Sequence, residues 1–170
     1  MTLLLWGQCT LPEWSSGKMN QGTPGTWSHY AERRIRELQA HAHTMLIHAQ
    51  AQWPNAIDTH LWPYALRMAN DILNITPLIS TKKVPLQLFS STAVNNDLKH
   101  WYHFGCPAYI LHSDLQSGKS QDKWADRSRV TIYLGHSPHH VQTITLCLSL
   151  TTGLVSPQFH FKVDPTFHML

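Results

Sequence analysis

Glu32 is the residue in this chain whose position most invites a chemical question. It sits near the front of the run "HYAERRIRELQAHAHTMLIH", residues 29–48, with Arg33, Arg34 and Arg36 beside it. Read on residue chemistry alone, it is a first-turn acid that complements a helix dipole, a contribution of about 0.3–1 kcal/mol. Any larger role needs partners elsewhere in the chain. A second group is cationic. Lys119, Lys123, Arg127 and Arg129 fall within eleven residues, with Trp124 among them. Such a loop can contact a phosphate backbone and stack an aromatic on a base. The plainer alternative is a solvated loop with Trp124 packed on the sheet beside it.

Two other motifs carry less. His41, His43 and His48 crowd one helix, at spacings of two, five and seven. Helix-borne zinc ligands stand one turn apart, at i and i+4. Only His41 and His48 share a face, two turns apart, so exposed helix histidines are the simpler reading. His139 and His140 read as a turn. "SGKS" at 117–120 lacks the glycine that a phosphate-binding loop places five residues ahead of Gly118, where Ser113 stands, and no helical pattern follows.

The elements that must position these groups follow from the hydrophobic period. Residues 1–28 contain "WSSGKMNQGTPGTWS", which has no period and is expected to be an unstructured leader. From Tyr30 onward, Ile35, Leu38, Ala42, Met45, Ala49 and Trp53 recur at helical steps, and Pro54 ends the helix. Asp58 is suited to cap a second helix with Pro63 in its first turn; Thr76-Pro77 stops it. "VPLQLFS" suits one further short helix. After residue 95 come "PAYILH", "RVTIYLG", "QTITLCLSL" and "LVSPQFHFKV", β-branched and aromatic runs parted by turn signals. In the third, Thr143, Thr145, Cys147 and Ser149 alternate with Ile144, Leu146, Leu148 and Leu150, which predicts a strand with its polar face in water. Thr152-Gly153 suits a tight hairpin. The fold class is α+β: helices over 29–95, then a small β-barrel or sandwich over 100–166.

Composition bounds the function. The 170 residues hold thirteen Lys and Arg against ten acids, a net charge of +3. The excess is spread, eight against six in residues 1–104 and five against four in 105–170. Neither half is a basic arm, so charge by itself argues only weakly for nucleic acid. Three cysteines at 9, 106 and 147 form neither a disulfide framework nor a CxxC clip. Reduced thiols and an intracellular location are the expectation. There is no run of eighteen apolar residues, so no membrane span is expected.

Two segments resemble a known family. "AERRIRELQAHAHTML", followed by "LWPYALRMANDILNITP" and "VPLQLF", is similar to the end of the catalytic core of copia-type retrotransposon integrases. Those read Asn-Gly-x-Ala-Glu-Arg, then an arginine-rich helix, then a helix ending near Thr-Pro. "HFGCPAYIL", "KWADRSRVTIYLGHS" and "TTGLVSPQFHFKVDPTF" resemble the SH3-like barrel that follows this ribonuclease H-like core in the same Pol polyproteins. Together they span residues 30–168.

The resemblance implies that Glu32 holds the place of the third acid of an Asp-Asp-Glu triad, whose carboxylates bind two Mg²⁺ or Mn²⁺ ions. Strand transfer is an in-line attack of a 3′-hydroxyl on a phosphodiester, and two cations about 3.5–4 Å apart stabilise its attacking and leaving oxygens. It also implies that Arg33, Arg34 and Arg36 lie where a DNA backbone passes, and a nuclear location. The chain departs from the pattern at Ser28 and His29, where Asn-Gly should fall, and no aspartate occurs before Asp58. A five-stranded ribonuclease H-like sheet does not fit in the 31 residues ahead of Glu32. The expectation is therefore a truncated, catalytically inactive integrase remnant that needs no cofactor of its own. It binds DNA weakly through Arg33, Arg34, Arg36, Lys119, Lys123, Arg127 and Arg129. One alternative is part of an active integrase whose aspartates lie upstream or on another chain; another is a host-adopted protein-interaction module. With no sheet beneath them, the helix stripes must pack on each other, pack on the barrel, or stay exposed and drive self-association. Marginal helix packing beside a better defined barrel is expected.

Overall fold

The first helix opens at a proline. In the computed structural model, which describes residues 24–168 apart from 80, 94–97 and 142, α1 runs Pro24–Gln52. Proline has no N–H to leave unsatisfied and a pre-set φ, so it suits the first helical position. The expected leader over 1–28 is thus too long: 24–28 are helical, and 1–23 lie outside the described residues. Glu32 consequently sits more than two turns into α1, whose first turn holds no acid. The dipole reading of Glu32 is overturned, because that effect fades beyond the first turn.

Asp58 does act as a cap. Its carboxylate accepts the His60 N–H at 2.9 Å, starting a 3-10 turn over Thr59–Leu61 that leads into α2, Trp62–Ile75, with Pro63 in its opening turn. Thr76 ends α2 in an extended conformation, as the residue before a proline favours. α3 spans Pro85–Ser90, and α4, Ser113–Gln116, is one short turn within a loop.

Five strands make one antiparallel sheet: β1 Pro107–Leu111, β2 Ser128–His136, β3 Thr145–Ser149, β4 Val155–Gln158 and β5 Phe161–Val163, in the order β4-β3-β2-β1-β5. A barrel or sandwich was the expectation; the sheet instead has β4 and β5 as its two edges. The run 154–163 is split, because a bend at 159–160 carries the chain from β4 on one edge to β5 on the other. The wet face expected of β3 is also reversed. Thr145 and Cys147 are buried, while Leu146 is half-buried and Leu150 is exposed. The inward polar groups are satisfied locally. Thr145 Oγ1 lies 3.6 Å from Cys147 Sγ, and Thr131 Oγ1 donates to the Ala108 carbonyl at 2.8 Å. Thr fills the volume of Val, so a bonded hydroxyl can occupy a core position that polarity alone assigns to solvent.

The helices pack on the sheet as well as on each other. One core contains Ala42 and Ala49 of α1, Ile57, Leu61, Ala65, Met68 and Ala69, and then Cys106, Ala108, Ile110, Ile132, Tyr133, Leu134 and Leu148. Two close approaches fix this join. A Cβ added at Gly105, whose φ is +87°, would lie 2.6 Å from Ala49 Cβ, and the Trp53 indole N–H donates to the Gly105 carbonyl at 2.8 Å. At Gly135, φ +115°, β2 loses register against β3 and the backbone passes Met68. The marginal packing expected of the helices is confined to the head of α1, where Tyr30 and Ile35 are exposed.

Candidate nucleic-acid interface

The two candidate groups occupy different parts of the molecule. Glu32 and its arginines ride on the head of α1, ahead of the buried stripe that begins at Ala42. Glu37, rather than Glu32, is the arginines' partner. Arg33 Nε lies 3.2 Å from Glu37 Oε1, and Arg34 Nη1 lies 3.5 Å from Oε2. These are helical i,i+4 and i,i+3 pairs, and Glu37 grips both guanidinium groups with separate oxygens. Arg36 and Glu32 are exposed, and no ion pair joins them to a described residue.

A divalent cation pair does not fit this setting. Glu32 offers one exposed carboxylate flanked by guanidinium groups. Among the described residues no group of three or more His, Cys, Asp or Glu side chains is gathered where it could hold a metal ion. Asp58 is committed to its cap, and Asp71 is half-buried in α2, where burial raises its carboxyl above the usual range against the lowering effect of Arg67 one turn away. His41, His43 and His48 are exposed along α1, and His140 Nδ1 meets Ser137 Oγ at 2.7 Å in the turn after β2.

The second group lies on the excursion between β1 and β2. The His112 N–H donates to the Arg127 carbonyl at 3.0 Å, closing residues 113–126 into a loop at the end of the two-strand ladder. Lys119 Nζ is 3.2 Å from Asp114 Oδ1, a wholly exposed contact of small energetic weight. Lys123 Nζ lies over the Trp124 ring, 5.5 Å from its centroid, and Trp124 is 90% exposed. That removes the alternative in which Trp124 packs on the sheet. Arg127 and Arg129 are exposed at the base of the loop. Three acids, Asp114, Asp122 and Asp126, share the segment, so the four cations leave a net charge of only +1. "SGKS" lies in this loop with Gly118 at φ +79° and no helix after it, as its missing first glycine implied.

Strand pairing adds residues that spacing did not reveal. Tyr109 of β1 stands opposite Lys162 of β5 on one side and Val130 of β2 on the other. Directly opposed residues share a face. Here it is the outer one, since Ala108 and Ile110 on either side of Tyr109 are buried. The clue available in sequence was the single aromatic between two small or apolar inward positions; its pairing with Lys162, 53 positions away, had no local signal.

The remaining perturbed groups are structural. Burial pushes the Cys106 thiol up to about 12 and also raises Cys147 and the Tyr133 hydroxyl. Neutral, enclosed thiols are poor nucleophiles and poor ligands. No described helix is long and apolar enough to cross a membrane. Compared with known proteins, the chain matches no family model, no curated protein and no solved structure.

Proposed function

We propose that this chain is the C-terminal portion of a copia-type integrase that binds nucleic acid and does not by itself catalyse strand transfer. The observation that carries the binding is the solvent-facing Lys123–Trp124 pair, with Arg127 and Arg129 at the foot of the same loop. Each element offers a phosphate or a base what it needs: ammonium and guanidinium donors, and an indole face. The strand order supports the SH3-like reading. A four-strand meander whose fifth strand returns beside the first is the connectivity expected of that fold, and the kink of β2 at Gly135 is where such a sheet curls. The lack of catalysis rests on the sequence. Phosphodiester attack with two cations needs several carboxylates around one centre, and Glu32 has no aspartate ahead of it.

The test is the salt dependence of binding to a labelled DNA, read by fluorescence anisotropy. Each phosphate neutralised contributes about −0.9 to the slope of log K against log salt. Two to four contacts at the loop predict a slope of roughly −2 to −4 on duplex DNA. A flat response would remove the proposal. A second reading, an active integrase completed by aspartates on another segment, is favoured by one observation. Tyr30 and Ile35 are exposed on the same head of α1 as Glu32 and offer apolar footing for a further layer. An upstream reading frame that encodes no pair of aspartates would eliminate it.

A further inference from the structure

We infer that the loop between β1 and β2 selects unpaired nucleotides, with Trp124 stacking on a base and Lys123 holding the adjoining phosphate; this deepens the nucleic-acid reading above and depends on it. An indole at 90% exposure contributes nothing to the core, so the fold supplies no reason for tryptophan at this position. Its one aromatic or ionic contact is the Lys123 ammonium over its ring, which leaves the opposite face open. A flat π-surface with a cation beside it matches a nucleotide whose base is free of its complement. In a duplex the base faces are already stacked, and an indole could reach only edges and phosphates. The modest net charge of the loop points the same way. With Asp114, Asp122 and Asp126 interleaved, backbone attraction alone is weak, and stacking must supply a larger share of the affinity. The pairing of aromatic and cation recurs on the outer sheet face, where Lys162 stands opposite Tyr109, a second platform for a strand leaving the loop.

The experiment uses the full chain with a labelled oligothymidylate of about 20 nucleotides and a mixed-sequence duplex of the same length, followed by anisotropy across a salt series. The single strand binds more tightly than the duplex. Trp124→Ala weakens single-strand binding by about 5- to 150-fold, the range set by base–aromatic stacking, and leaves the salt slope unchanged because no charge is lost. Trp124→Phe recovers part of the affinity. Lys123→Gln lowers the slope by about 0.7. Because both side chains are exposed, thermal melts of the variants should match that of the unaltered chain, which keeps misfolding out of the comparison. Steep, salt-dependent binding to both DNAs with no effect of Trp124→Ala would overturn this inference while sparing the nucleic-acid reading. Binding to neither DNA would overturn both.

Discussion

Glu32 and Glu37 differ by five residues and have opposite standing. Glu37 joins two guanidinium groups, whereas Glu32 faces solvent. Glu37→Ala should therefore cost about 0.3–0.8 kcal/mol in urea unfolding, and Glu32→Ala less than about 0.5 kcal/mol. A larger loss for Glu32→Ala would reveal a contact that the geometry does not contain. Asp71 gives a signed dependence on pH. Its folded-state pKa is raised by burial, so the folded chain holds a proton that the unfolded chain has released, and the stability it provides is lost as pH rises through the folded value. Asp71→Asn should stabilise the protein at about pH 7 and make little difference near pH 3.5, where the carboxyl is protonated in both states. Asp164 has the reverse sign. Its carboxylate accepts the Thr166 hydroxyl at 2.7 Å, the Thr166 N–H at 3.1 Å and the His168 N–H at 2.8 Å, which lowers its pKa. Its contribution is present above the usual carboxylate range and lost as pH falls.

At the scale of elements, α1 has two parts. Its rear half lays Ala42, Leu38, Met45 and Ala49 against the core, and its front half carries the charges with Tyr30 and Ile35 exposed. Hydrogen exchange should show amides of residues 30–37 opening well before those of 42–52, because local stability tracks buried contact. The helical period over residues 35–53 was legible at once, since apolar residues at three- and four-residue steps can be buried only along one helix stripe. The start of the helix was not. Residues 24–28, Pro-Gly-Thr-Trp-Ser, read locally as a loop, and propensity yields to an established helix that propagates backwards at little cost per residue. The loop cations were found from their types alone. That Trp124 would stand clear of the sheet was a matter of packing, which no single-residue property encodes.

At the scale of the whole molecule, the join between helices and sheet is the most exacting feature. Gly105→Ala places a methyl group against Ala49 at a backbone angle that L-residues avoid, and should cost about 2–4 kcal/mol in urea unfolding. Trp53→Phe, which leaves the Gly105 carbonyl without its indole donor, should cost about 1 kcal/mol. Met68 packs beside Gly135 within the shared core, so Met68→Ala should cost about 2–5 kcal/mol and lower the unfolding midpoints of helix and sheet together. Far-ultraviolet signals separating into two transitions would contradict a common core.

The sequence by itself determined the order of elements, the helix stripes, the turn signals and the identity of the charged groups, because period and turn chemistry act over a few residues. It also limited the catalytic question, since aspartates ahead of Glu32 are either present or absent in the letters. Only the tertiary structure decided the rest: that Thr145 and Cys147 face inward, that Tyr109, Lys162 and Val130 share a row, that Arg33 and Arg34 answer to Glu37, and that the helices close over the sheet at Gly105 and Gly135. These depend on which distant surfaces meet, and free energy of contact between segments far apart in the chain is set by complementarity of shape rather than by the composition of either segment.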